Sequence, residues 1–181
     1  AHAGLSLDMP GIEPILGSRT RLLLFAHMGL QCLSSSRCEM AKHWEHKGPA
    51  EIQPKRVDTY RHCQWLAGHL GVPFQMPQAH PFNPLPYLRL CLSLGSSPKV
   101  VGEIFNYLWA EGAPAHTEAG IEEIAQRLGV ENLAEELNSP SAKQELRANT
   151  EQAIAEGVYG VPTFVVDTER FWGLDQMEML S

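Results

Sequence analysis

Apolar residues in the second half of the chain recur with the spacing of helices. Cys63, Leu66, Ala67 and Leu70 follow the pattern i, i+3, i+4, i+7, which places one apolar stripe along a helix. A glycine and a proline follow this stripe directly and end it. The same period predicts further helices through residues 85–92, 101–108, 121–128 and 133–137. Residues 76–86, in contrast, are rich in proline and predict a loop or extended chain.

The best-marked helix starts after residue 139. Ser139 can cap it, Pro140 suits its first turn, and Gly157 suits the position just past its end. Leu146 and Thr150 share one face of this helix with Ala153 and Ile154. The middle of the chain is therefore predicted to be helical.

Beyond residue 157 the period changes from that of a helix to that of a strand. Residues 163–166 are a β-branched and aromatic run, 167–169 predict a turn, and 170–172 predict the returning strand. Gly173 then opens a final helix. Near the start of the chain, only residues 21–26 predict a strand.

Composition and charge narrow the range of partners. Apolar residues make up 44% of the chain and charged residues 19%, as in ordinary globular proteins. The net charge of −7, with 14 scattered lysines and arginines, argues against nucleic acid as a partner. The apolar run 22–26 is too short to cross a bilayer. No basic start followed by a long apolar stretch marks a secretory signal, although a chain that begins with Ala1 leaves room for residues removed upstream.

The cysteines and histidines predict neither a redox pair nor a metal site. Cys32, Cys38, Cys63 and Cys91 form no CxxC pair and match no zinc motif, so we expect free, mostly buried thiols and a cytoplasmic protein. His43 and His46 stand at i, i+3, but no third ligand has a suitable spacing and HExxH is absent. Phe105, Tyr107 and Trp109 follow helical spacing and are predicted to belong to the core.

The segment 157–164, GVYGVPTF, is the part of the sequence that points most directly to a functional site. Gly157 and Gly160 precede a proline that leads directly into a strand, which describes a sharp entry into a sheet. A trans Pro162 at the first strand position would satisfy this pattern. A cis Val161–Pro162 bond would instead turn the Val161 backbone towards a ligand, but X–Pro bonds are cis in only about 5–6% of cases. The local residues leave both conformations open.

Several segments, in order, resemble one family. These are 48–52 (GPAEI) with 54–56 (PKR), 65–67 (WLA), 70–74 (LGVPF), 81–85 (PFNPL), 157–164 and 171–175 (FWGLD). From about residue 45 to 181 the chain resembles the 2-hydroxychromene-2-carboxylate isomerases and the related kappa-class glutathione transferases. The resemblance implies an α/β fold, in which a thioredoxin-like domain carries an inserted all-helical domain. It predicts residues 1–40 and 151–181 as the thioredoxin-like part and 41–150 as the insertion.

The resemblance also implies glutathione as the cofactor. In the family, the residue before the cis-proline pairs its backbone with that of glutathione, as an added strand would; Val161 and Pro162 have this position here. The backbone amides of Leu174 and Asp175 would bind the γ-glutamyl carboxylate, and the Asp175 side chain would hold the amine, although Asp175 is also a plausible helix N-cap. Lys55, or the adjacent Arg56, matches a lysine near the glycyl end. His46 lies near a family position that touches glutathione.

The catalytic residue stays unassigned. The family uses a serine just after the first strand, in a motif resembling FxxSPYS, to hydrogen-bond the glutathione sulfur and favour the thiolate. Residues 1–44 do not contain this motif, and neither Ser6 nor Ser18 has its context. An incomplete or misassigned N-terminal sequence, divergence, and loss of catalysis would each explain this; the abrupt break favours the first.

The sequence thus predicts a glutathione-dependent isomerase that acts on a small aromatic hydroxy or keto acid. A kappa-like transferase would use the same site to conjugate glutathione to an electrophile. A third possibility is a non-catalytic module that binds glutathione or a peptide. A disulfide oxidoreductase of this fold would need a CxxC, which is absent. The family resemblance further implies a homodimer.

Overall fold

The sheet and its hairpin form the smaller part of the structure. The computed structural model describes residues 20–21, 43–45 and 52–180. Within these residues, strands β1 (Thr20–Arg21), β2 (Thr163–Val166) and β3 (Glu169–Trp172) form an antiparallel sheet in the order β1-β2-β3. Thr163 pairs with Trp172 across the hairpin. The predicted hairpin is confirmed. Of the predicted strand 21–26, only residue 21 is among the described residues, and there it belongs to β1.

The predicted helices are present with nearly the expected bounds. A π-helical segment, Asn106–Ala110, continues the third of them, and a 3₁₀ helix, Leu174–Leu180, ends the described chain. The α-helices described are α1 (Gln53–Leu70), α2 (Leu85–Ser93), α3 (Pro98–Phe105), α4 (Glu118–Arg127), α5 (Leu133–Asn138) and α6 (Pro140–Ala155).

Local side-chain chemistry explains where the helices begin and end. The Ser139 hydroxyl accepts the backbone N–H of Ala142 at 3.3 Å and caps α6, with Pro140 in its first turn. Gly71 follows α1 with φ +67°, and Gly157 follows α6 with φ +72°, a conformation that glycine adopts without penalty. The predicted capping of α1 and α6 is therefore confirmed.

The main core lies among the helices and is centred on α2. Tyr87, Leu88 and Leu90 of this helix are each at most 1% exposed, and α2 packs against α3, α4, α5 and α6. Tyr107 and Leu108 join the same cluster, which confirms the core prediction for Tyr107. In contrast, α1 has no buried residue and lies at the edge of this core.

The two cysteines within the described residues have different surroundings. Both are free; Cys91 is buried, as expected, but Cys63 is exposed on α1. The expectation of buried thiols is therefore wrong for Cys63, which lies on a helix that has no buried residue.

The helices of the described ranges include none that is both long and apolar enough to span a membrane. The domain division at residues 40 and 150 stays a prediction.

A substitution of Gly120 tests how closely α4 packs against the loop that precedes it. A Cβ atom at Gly120 would lie 2.4 Å from the Pro114 carbonyl oxygen and 3.2 Å from the Tyr87 hydroxyl. We expect Gly120→Ala to lower the free energy of unfolding by about 1–3 kcal/mol, as overpacking does in tight interiors. Chemical denaturation followed by circular dichroism measures this change.

Gly102 in α3 is the matched control, because a Cβ there would meet nothing within 4 Å. Gly102→Ala should raise the free energy of unfolding by roughly 0.5–1 kcal/mol through helix propensity alone. Equal effects of the two substitutions would contradict the close approach of α4 to Pro114.

Candidate functional site

The Val161–Pro162 peptide bond is cis, the second of the two conformations that the sequence left open. The Pro162 carbonyl accepts the Gly173 N–H at 2.9 Å. This hydrogen bond joins the residue just before β2 to the residue just after β3. The Thr163 hydroxyl donates to the Gly160 carbonyl at 2.6 Å and fixes the turn before the proline. Within the described residues, the Val161 N–H and C=O make no hydrogen bond. Backbone groups of this kind are what an extended peptide pairs with when it adds as a strand.

Two aromatic side chains flank the turn before Pro162. Tyr159 and Trp172 lie with ring centroids 5.4 Å apart and are 44% and 43% exposed. A Cβ at Gly160 would lie 2.4 Å from the Trp172 Nε1, so glycine at this position allows the indole to lie directly over the backbone. The two rings therefore form a partly exposed aromatic surface beside the Val161 backbone.

Asp175 lies just past the end of β3. Gly173 has φ +95°, and a Cβ there would come 2.3 Å from the Asp175 Oδ1, so the carboxylate lies against the Gly173 backbone. In the part of the chain that the structure describes, this carboxylate forms no hydrogen bond or ion pair. Both roles considered for Asp175, a ligand for an amine and a helix N-cap, stay predictions. Gln176 instead accepts the Trp172 N–H at 2.7 Å through its side-chain Oε1.

The structure brings four of the six predicted glutathione contacts together. Val161, Pro162, Leu174 and Asp175 lie around the closure between β2 and β3. Leu174 and Asp175 begin the 3₁₀ helix, and the first N–H groups of a helix have no partner inside it. An extended backbone, the N–H groups at the start of a helix and a carboxylate are the partners that glutathione's peptide backbone, carboxylate and amine require, so the chemistry of these residues fits the cofactor.

The other two predicted contacts are not part of this cluster. Lys55 is exposed in the first turn of α1, and no hydrogen bond or ion pair within the described ranges joins its side chain to the Pro162 region. His46 lies outside the described residues. The roles of both residues stay predictions.

A cavity of about 320 Å³ lies beside α1. The sequence did not reveal it. It lies between one face of α1, the proline-rich segment that follows, and the end of α3 with its π-helical extension. Its lining side chains are Thr59, Tyr60, Cys63, Phe74, Met76, His80, Phe105 and Trp109.

Backbone hydrogen bonds hold the far wall of this cavity in place. The Gln75 N–H donates to the Trp109 carbonyl at 2.7 Å, and the Gln78 N–H donates to the Ala113 carbonyl at 3.4 Å. Gly112, with φ +69°, lets this segment approach, because a Cβ there would come 2.7 Å from the Gln75 Cγ. The Phe74 and Trp109 rings are nearly parallel, at 5° and with centroids 6.3 Å apart. The extended segment is thus fixed against the π-helical turn.

A histidine and a tyrosine in the lining of the cavity are hydrogen-bonded to each other. The Tyr60 hydroxyl lies 2.5 Å from the His80 Nδ1. Burial, together with the nearby Arg56 charge, lowers the pKa of His80 to about 4, so the ring is neutral at pH 7. Burial also raises the pKa of Tyr60, which keeps its proton. The Tyr60 hydroxyl also lies 3.5 Å from the His80 carbonyl oxygen, so it contacts both the ring and the backbone of this residue.

The helical spacing of the aromatic residues predicted core positions and gave no sign of this cavity. Phe105 and Trp109 were expected in the core, but they are only partly buried and pack at its margin. The chain between residues 106 and 110 forms a π-helical turn, and such turns are frequent at functional sites. A spacing argument that assumes 3.6 residues per turn cannot detect this change.

Comparisons with known proteins bear on the family of the chain. Residues 38–181 match the family model described as DSBA-like thioredoxin domain. The 2-hydroxychromene-2-carboxylate isomerase of Pseudomonas putida is 34% identical over 83 residues, 45% of this chain and 41% of that protein. Glutathione s-transferase kappa 2 of Caenorhabditis elegans is 26% identical over 137 residues, 68% of this chain and 61% of that protein. The matched segments thus span less than two thirds of either relative.

A solved structure supports the same fold. A structure of 2-hydroxychromene-2-carboxylate isomerase has a TM-score of 0.65 to this chain at 23% identity, and the match covers 82% of this chain and 74% of that one. The predicted thioredoxin-like fold and the predicted family resemblance are thereby confirmed. Because the family model covers most of its length, the chain belongs to the family of DSBA-like thioredoxin domains.

Proposed function

We propose that the protein is a glutathione-dependent isomerase of a small aromatic hydroxy or keto acid, similar to 2-hydroxychromene-2-carboxylate isomerase. The observation that carries this proposal is the cis Pro162, beside which neither the Val161 backbone nor the Asp175 carboxylate forms a hydrogen bond within the described residues. Of the similar proteins, one is named as an isomerase of this kind and another as a glutathione transferase, which supports the isomerase and the use of glutathione respectively. When bound, glutathione supplies a thiol nucleophile, whose reversible addition to an unsaturated carbon lets a ring open and a bond rotate.

The protein contributes binding and orientation. The Val161 N–H and C=O pair with an extended peptide as a neighbouring strand would. The N–H groups of Leu174 and Asp175 bind a carboxylate, helped by the positive potential at the start of a helix. The Asp175 carboxylate binds an ammonium group, and Lys55 binds a second carboxylate as a point charge. His46 is assigned to the wall of the same site by the family resemblance alone.

The surroundings of the site follow from the same proposal. Tyr159 and Trp172 offer an apolar face to one side of the bound peptide. Glutathione and free thiols are both typical of a reducing compartment, so we assign the protein to the cytoplasm. A homodimer is the assembly that the family resemblance implies.

The first test is the interconversion of 2-hydroxychromene-2-carboxylate and its ring-opened isomer, followed by absorbance. We expect acceleration only when the protein and glutathione are both present, because the nucleophile belongs to the cofactor. S-methylglutathione, which keeps the peptide but blocks the sulfur, should not support the reaction and should inhibit it competitively against glutathione.

The outcomes separate the rival functions. Equal acceleration with S-methylglutathione, or without any glutathione, would contradict the proposed chemistry. Conjugation of glutathione to an electrophile such as 1-chloro-2,4-dinitrobenzene, with no isomerisation, would instead favour the kappa-like transferase. Glutathione binding without either reaction would favour a binding module.

The second test removes the charge of Asp175. Asp175→Asn should weaken glutathione binding by up to roughly fivefold, since an exposed ion pair contributes up to about 1 kcal/mol and about 1.4 kcal/mol is tenfold. Isothermal titration calorimetry with glutathione measures the change. The effect should shrink at high salt, because screening already weakens an exposed pair.

Glu122→Gln on α4 is the control for this charge change, because Glu122 is equally exposed and belongs to the helical part. It should leave the glutathione affinity unchanged. If both variants bind glutathione as the unaltered protein does, Asp175 does not hold the amine.

A further inference from the structure

The π-helical turn Asn106–Ala110 forms part of the wall of the cavity beside α1. Trp109 of this turn, and Phe105 just before it, line the cavity. The Glu111 N–H donates to the Asn106 carbonyl, five residues earlier, at 3.0 Å, which is the hydrogen bond of a π-helix. Such turns are rare beside the ordinary α-helix. Contacts from outside the turn therefore help to explain why the chain keeps this conformation.

One arginine on α4 contacts the turn near both of its ends. The Arg127 Nη1 donates to both carboxylate oxygens of Glu111, each at 2.8 Å. Its Nη2 donates to Glu123 at 2.8 Å, and Glu123 accepts the Tyr107 hydroxyl at 2.9 Å. The guanidinium carbon also lies 4.9 Å from the centroid of the Tyr107 ring, within the range of a cation–π contact. Trp109 lies in the chain between Tyr107 and Glu111, so the two attachments flank it.

This network is charged at neutral pH and open to salt. Hydrogen bonds from Arg127, and then from Tyr107, lower the pKa of Glu123, so its carboxylate is ionised. Burial raises the pKa of Tyr107 to about 12, so its hydroxyl keeps the proton that it donates. The side chains of Arg127, Glu111 and Glu123 are 39%, 48% and 49% exposed. Salt therefore weakens the network by screening, although several linked charges stabilise more than one exposed pair does.

The same turn anchors the chain on either side of the cavity wall. The Trp109 carbonyl accepts the Gln75 N–H at 2.7 Å, and the Tyr107 carbonyl accepts the Ala113 N–H at 3.3 Å. A displacement of the turn would break both hydrogen bonds and would expose both amides to solvent. Hydrogen exchange at Gln75 and Ala113 therefore reports on local opening of this wall.

We propose that Arg127 is a positioning residue that fixes the π-helical turn through Glu111, Glu123 and Tyr107, and that release of this network opens the Trp109 wall of the cavity. Within the described residues, none of these four side chains lines the cavity. The opening of the wall is thus controlled by charged contacts outside the lining, and it becomes more frequent as the ionic strength rises. The inference is independent of the proposed function, in which none of the four residues has a role.

The test is amide hydrogen exchange followed by NMR on the full chain near neutral pH. Arg127→Gln removes the charge and should speed exchange at Gln75 and Ala113 roughly two- to fivefold, the range that exposed ion pairs produce. In the unaltered protein, a rise from about 0.05 M to about 0.5 M NaCl should speed the same two amides. Arg127→Gln should respond little to salt at these positions, because the charge that salt screens is gone. A purely structural role for Arg127 would not remove the response to salt.

Arg147→Gln on α6 is the matched control. Arg147 donates to Glu151 at 2.8 Å across one helical turn, and both side chains are exposed, so this variant also removes an exposed ion pair. It should leave the exchange rates of Gln75 and Ala113, and their response to salt, as they are in the unaltered protein.

Three results would overturn the proposal. Unchanged exchange at Gln75 and Ala113 in Arg127→Gln would show that the wall opens without breaking the network. Equal acceleration in Arg127→Gln and Arg147→Gln would show a general loss of stability. If Arg127→Gln does not fold, the unaltered protein still provides the test, because exchange at these two amides that does not change with salt would contradict the role of the charged network.

Discussion

Burial of α2 among four other helices is the packing constraint from which the helical part takes its form. Leu90 is fully buried and Leu88 nearly so, and the burial of each such side chain contributes about 1.5–3 kcal/mol. The Tyr87 hydroxyl donates to the Ala115 carbonyl at 3.3 Å, which ties α2 to the loop before α4. Because α2 contacts α3, α4, α5 and α6, these helices cannot shift independently of one another.

A series of aromatic contacts connects α2 to α1. Phe82 makes an edge contact with Tyr87 at 5.8 Å, and His80 makes one with Phe82 at 5.9 Å. The His80 ring is in turn hydrogen-bonded to Tyr60 on α1. Because α1 has no buried residue of its own, this contact is one that joins it to the core within the described part of the chain. The cavity lies in the gap that this attachment leaves, so its lining is well placed although α1 is mostly exposed.

The sequence predicted those features that depend on single residues with strong local preferences. Ser139 and Pro140 mark the start of α6 and Gly71 marks the end of α1 because capping and positive φ are local properties. The hairpin at residues 163–172 was predictable for a similar reason, since β-branched residues alternate around a turn. The cis conformation of Pro162 was not, because the local residues allow both isomers and tertiary context selects one.

The cavity was unpredictable for another reason: its lining comes from three segments whose meeting depends on tertiary contacts. The spacing of Phe105 and Trp109 is that of a core stripe, and nothing in it signals that His80 and Tyr60 stand opposite. The same holds for the catalytic residue, which the family places after its first strand, whereas residues 1–44 lack the motif. Local rules thus reached the helices and strands, and they did not reach the isomer of Pro162 or the contacts between distant side chains.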